Sequence, residues 1–153
     1  MTEMTLMSTA TLTRQSPSQR PLPARHLAPR LIGAALALGV AYIHAKDQGW
    51  FPGDKAPTYV GIGYYLLEAT GLVAAIALLV GMRKHTRKAW GLLVGIALGP
   101  LIGYVLSRGP GLPNYTDDKG NWTEPIGLAS LAVEGLLLVI ATAVLATSRR
   151  TTR

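Results

Sequence analysis

The sequence predicts an all-α integral membrane protein: a four-transmembrane-helix bundle with its N and C termini in the cytoplasm. Three observations predict it. Four long apolar runs, at about 27–46, 58–82, 89–107 and 125–147, each match the ~20 residues a helix needs to cross ~30 Å of hydrocarbon. Eleven of the 15 Lys and Arg residues fall before or at the very start of the first run, between the second and third, or after the fourth, and the positive-inside rule puts those segments in the cytoplasm. The runs themselves are filled by Ala, Gly and Leu, a composition suited to close helix contact in lipid.

Residues 1–26 are rich in Ser, Thr, Pro and Arg, without apolar periodicity, and read as a disordered basic cytoplasmic tail. A second basic tail, 149–153, follows the membrane domain at 27–148. The run after Arg30 also has a signal-peptide reading, with Ile43-His44-Ala45 as a poor cleavage site. The loops are too short to fold a soluble domain with its own core. The net charge of +7 sits in the clusters flanking the runs, which points to topology and anionic lipid headgroups and not to nucleic acid. There is no cysteine, which removes disulfides, thiolate catalysis and iron–sulfur clusters.

The first span carries a small-residue stripe, Ala34, Ala37, Ala41 and Ala45, and ends at His44. Trp50 and Phe51 follow it and suit a headgroup belt. Pro52-Gly53-Asp54 is a turn. In the second span, Tyr64 and Glu68 are four apart and share a face, with Tyr65 beside them. At 1.5 Å per residue from Pro57, Glu68 lies about 16 Å deep, near the midplane. Arg83, Lys84, Arg87 and Lys88 form the cytoplasmic loop at 83–88.

The third span holds Gly91, Gly95, Gly99 and Gly103, a four-residue repeat that leaves one helix face without side chains and predicts close helix packing, within the chain or with a second copy. Pro100 withholds an N–H from the carbonyl of Ile96 and predicts a kink. Tyr104 and Arg108 close the span. The loop from Arg108 to Glu124 is turn-rich, and its Asp117-Asp118 pair lacks the spacing of a calcium loop. In the fourth span, Gly127, Ser130, Glu134 and Ala141 lie along a small, polar-tolerant face, with Glu134 about 13 Å from its outer entry.

Polar residues inside the spans therefore collect in the outer half: His44, Tyr64, Tyr65, Glu68, Tyr104, Arg108 and Glu134. A carboxylate in hydrocarbon is costly unless protonated, paired or wetted. The asymmetry predicts a polar cavity toward the outside above an apolar plug. Three readings compete for it: a polar network that only fixes helix register, a site for a small ligand or proton with those seven residues around it, and a metal or proton-coupled site built on His44, Glu68 and Glu134. Haem is disfavoured, because His26 and His85 belong to the cytoplasmic side. No nucleophile–base arrangement marks an enzyme, and the cofactor is left unknown. The partners predicted are the lipid bilayer and either a second copy or a membrane complex, with the Gly91–Gly95–Gly99–Gly103 face as the surface of an accessory or scaffold subunit.

Four spans with a membrane carboxylate are similar to small multidrug-resistance exporters, which keeps a small proton-coupled exporter as an alternative. Those exporters carry their glutamate in the first span, where this chain has His44. The chain more closely resembles four-span membrane proteins of high-GC bacteria in which a histidine ends the first span. There an Arg-x-x-Gly-Leu-Pro loop, a Trp-x-Glu-Pro-x-Gly segment and a fourth-span glutamate follow. Here these are His44, Arg108 to Pro113, Trp122 to Gly127, and Glu134, within about 31–147. The resemblance implies the fold and a multi-pass place in the bacterial cytoplasmic (inner) membrane. No activity is assigned to that group.

Overall fold

The computed structural model describes residues 27–81 and 83–150; the tail assigned to 1–26 and the last residues of the other lie outside the described residues. The fold is all-α: α1 (Leu27–Asp47), α2 (Thr58–Val80), α3 (Arg83–Arg108) and α4 (Pro125–Arg150). All four are long and apolar enough to cross a membrane. They pack as an antiparallel bundle in which each helix touches both of its neighbours. The two longer connections, 48–57 and 109–124, share one end, called here the loop end. The opposite, tail end carries the α2–α3 connection, the start of α1 and the finish of α4.

One expectation changes. Residues 83–88 are not a loop: α3 begins at Arg83. Lys and Arg are good helix formers, so the helix runs on past the apolar segment. Likewise α1 reaches Asp47 and α4 reaches Arg150. The connection between α2 and α3 is consequently very short. It turns at Gly81, whose left-handed backbone (φ 73°) lets its N–H close on the carbonyl of Ala77 at 3.2 Å.

Surface and interior are arranged as lipid requires. Large apolar side chains face outward all round, among them Leu66 (63% exposed), Val73 (59%) and Val139 (65%). The core is made largely of small residues: Ala34, Ala37, Ala74, Ala75, Ala97 and Ala141, with Val40, Leu78, Leu93 and Leu137 between them. With oil outside as well as inside, burial gives no hydrophobic drive, and close van der Waals approach has to hold the helices. α1 and α2 approach closely at Gly71, where a Cβ would stand 3.2 Å from the Ala37 carbonyl oxygen. At the tail end, Trp90 of α3 fills the space that Gly33 leaves on α1.

Arg30 is buried there. Its Nε donates to the Leu78 carbonyl at 2.7 Å, and Nη2 donates to Leu78 and Leu79. A cation on the last carbonyls of α2 satisfies acceptors the helix cannot, and opposes the negative end of its dipole. Arg30 thus does more than mark topology: it ties the start of α1 to the finish of α2.

Candidate functional site at the loop end of the bundle

His44 lies one turn before the end of α1, and its Nδ1 stands 3.1 Å from the carbonyl of Val40. A carbonyl oxygen only accepts, so Nδ1 carries the proton, as assigned from this geometry. In the neutral ring Nε2 is therefore a bare acceptor. It faces Glu134 Oε1 of α4 at 3.7 Å. That is within ion-pair range but longer than a hydrogen bond, so the two groups are close neighbours across the α1–α4 contact.

Ser130, one helical turn before Glu134, donates to the same Oε1 at 2.6 Å. Glu134 is 1% exposed and makes no other hydrogen bond among the described residues. The His44 ring also lies 5.0 Å from the ring of Tyr64.

Above this pair, Asp47 gathers the α1–α2 side. Its Oδ2 accepts from Tyr64 at 2.5 Å and meets Lys55 Nζ at 3.0 Å. Arg108 gathers the α3–α4 side. It donates to Glu124 (2.5 Å), the Asn121 carbonyl (3.0 Å), Ser107 Oγ (3.0 Å) and Asp118 (3.4 Å), and lies 4.0 Å over the Tyr104 ring. Tyr104 in turn donates to the Trp122 carbonyl at 2.7 Å. Gly127 makes this possible, since a Cβ there would stand 2.8 Å from the Tyr104 ring and 3.0 Å from Arg108 Nη2.

The 109–124 segment folds back as a cap. Leu112 and Tyr115 exchange backbone hydrogen bonds, and Gly120 N–H returns to the Arg108 carbonyl at 2.8 Å. Asp118 is held by Arg108 and by the Tyr115 hydroxyl at 2.8 Å. Burial and the neighbouring carboxylate push the Tyr115 phenol above its ordinary range.

These groups enclose a cavity of ≈ 340 Å³. His44, Tyr64, Tyr104, Arg108 and Glu134 all line it, with Asp47, Ser107 and Ser130. Tyr65 and Glu68 do not. Tyr65 accepts the Gly53 N–H at 2.6 Å and meets Phe51 edge to face. Glu68 accepts from Gln48 Nε2 at 2.7 Å, in a shallow groove on the other side of α2 with Leu38, Tyr42 and Leu72. Helix rotation explains the split: one residue turns a side chain by about 100°, so Tyr64 and Tyr65 cannot share a wall. Tyr64 and Glu68, four apart, are close enough in angle for one to meet the cavity and the other the rim outside it.

The triad His44, Glu68 and Glu134 therefore does not form. Among the described residues, no three His, Cys, Asp or Glu side chains gather as metal ligands would.

Of the two alternatives for the third-span glycines, packing within the chain is not seen among the described residues: a Cβ at Gly91, Gly95, Gly99 or Gly103 would meet nothing within 4 Å. Gly99 and Gly103 form part of the cavity wall. Asp47, Ser130 and Tyr115 were not among the sequence candidates. Ser130 carried a readable signal, its one-turn spacing from Glu134, whereas Asp47 looked like an ordinary loop charge. Set against protein-family models, curated proteins and solved structures, the chain matches none of them.

Proposed function

We propose that this is a multi-pass protein of the bacterial cytoplasmic membrane, with both termini in the cytoplasm, that binds a small ligand in the cavity around His44 and Glu134. The orientation rests on the bias of Lys and Arg toward the tail-end segments. One observation carries the binding reading: a carboxyl group 1% exposed, 3.7 Å from His44, faces a cavity in the span of the membrane. Intramembrane ionisable groups are expensive and are retained mainly where something is bound or moved. A network that served register alone would have no reason to leave room for a ligand beside it.

The test is extraction. Protein purified in mild detergent is stripped with organic solvent and the extract analysed by mass spectrometry. A molecule present at about one per chain (a single-pocket stoichiometry) and lost in Glu134→Gln and His44→Ala supports the proposal. Identical extracts from all three proteins would remove it.

A second reading, an accessory subunit that packs through α3, is favoured by Gly91 and Gly95, which are exposed and face nothing among the described residues. It predicts that Gly95→Leu lowers the mass of the assembly in detergent while the extract stays unchanged.

A further inference from the structure

The cavity has a roof and an open flank. Leu112, Tyr115 and Asp118 of the 109–124 cap lie over it, and the Tyr59 hydroxyl ties the start of α2 to the Pro113 carbonyl at 2.8 Å. Water is thus screened at the loop end by folded chain. Between α2 and α3 the situation is the reverse. The two helices are joined closely at the tail end, and their buried contacts (Ala74, Ala75 and Leu78; Trp90, Leu93 and Ala97) belong to that half. Toward the loop end, the facing positions are Gly63 on α2 and Gly99 and Gly103 on α3, all cavity-lining, and a Cβ at any of them would touch nothing within 4 Å. Gly63 and Gly99 are exposed. The result is a window bare of side chains, below the Tyr59–Pro113 tie, opening on the surface where Ile62 and Ile102 face outward.

The charges inside select the occupant. Among the described residues, Arg108 is the only Arg or Lys lining the cavity, and its donors go to Glu124, Asp118, Asn121 and Ser107. Lys55 is taken by Asp47. Among the described residues, no cation at the cavity is free for a phosphate or carboxylate head. A cationic head would find the lining carboxylates already engaged, Asp47 with Lys55 and Tyr64, Asp118 and Glu124 with Arg108, and Glu134 with Ser130. The bare Nε2 of His44 accepts, and the buried Glu134 carboxyl in its uncharged form donates, which together match a hydroxyl.

We infer that the ligand is a single-chain amphiphile with an uncharged oxygen head, entering sideways from the bilayer between Gly63 and Gly99, its head at His44 and Glu134 and its chain in the window. This rests on the binding reading above and adds the route and the chemical class.

The experiment uses full-length protein in liposomes and a hexadecyl alcohol with a photoreactive diazirine in its chain, alongside the matching amine and carboxylic acid. After illumination, adducts are mapped by mass spectrometry. Adducts on lipid-facing Leu72 and Val73 serve as the internal reference. The alcohol is expected to label Leu67 and Pro100 inside the cavity at least several-fold more than either charged analogue. Gly99→Leu, and independently Gly63→Leu, are expected to cut that labelling at least five-fold, with the reference adducts and thermal unfolding unchanged. The space at both positions makes the leucines tolerable. Window variants that label like wild type overturn the route, and acid or amine labelling equal to the alcohol overturns the class. If the extract of Glu134→Gln still differs from wild type in those cases, the binding site stands and only this inference falls.

Discussion

Arg108→Ala removes the group on which the loop end is assembled. Arg108 is 7% exposed and holds Glu124, the Asn121 carbonyl and Asp118 at once, with Tyr104 beneath it. Hydrogen bonds to charged groups contribute about 1.5–3 kcal/mol each. The one to Glu124 is short and the one to Asn121 is of ordinary length, whereas the 3.4 Å contact with Asp118 is weaker. The Glu124 and Asp118 side chains are 31% and 22% exposed, so solvent recovers part of the loss. The net cost is about 2–4 kcal/mol, equivalent to a fall of roughly 5–12 °C in thermal midpoint for a chain of this length. Arg108→Lys should regain less than half, because one ammonium cannot serve Glu124 and the Asn121 carbonyl together. The assay is thermal unfolding in a fixed detergent by tryptophan fluorescence, with tryptic cleavage at Lys119 as a local report. A midpoint within about 1 °C of wild type, with Lys119 cut no faster, would refute the view that Arg108 organises the cap.

Three further outcomes are expected. Gly127→Ala should destabilise by about 1–3 kcal/mol, because the new methyl overlaps Tyr104 and Arg108, whereas Gly95→Ala should be neutral or stabilising; equal effects in thermal unfolding would contradict the packing described. His44→Ala and Glu134→Gln should be non-additive by at least about 0.5 kcal/mol in a double-mutant cycle, since the two side chains stand 3.7 Å apart; strict additivity would separate them. Tyr115 is held protonated by burial and by Asp118, so its folded pKa lies above the unfolded value of about 10. That raised pKa makes its contribution complete below pH 10 and lost as pH climbs beyond it. The thermal midpoint of wild type should therefore fall more steeply than that of Tyr115→Phe as pH rises past about 10, and parallel profiles would sink the assignment.

Much of the architecture was legible residue by residue. The length of each apolar run and the turns at Pro52-Gly53-Asp54 and Arg108–Glu124 are local properties, so four helices could be placed with boundaries good to a few residues. The exception at Arg83 arises because hydropathy marks where oil ends, not where the helix ends. His44, Tyr64, Tyr104, Arg108 and Glu134 could be grouped by depth, since depth is the count along a helix multiplied by its rise. Glu68 and Tyr65 were grouped with them for the same reason and do not line the cavity. Depth says nothing about azimuth, and azimuth is set by which neighbour each helix packs on.

By itself the sequence determined that this chain forms four membrane-length helices, and that its polar side chains lie toward one end of them. Both follow from composition along a single helix axis. Only the tertiary structure decided that His44 meets Glu134 and not Glu68, that Arg30 caps α2, and that Gly99 and Gly103 of α3 border a cavity. Each of those depends on the rotation and separation of helices far apart in the chain. In a bundle whose contacts are mostly alanine and glycine, the fit of backbone against backbone settles rotation and separation, and a linear pattern of residue types does not record that fit.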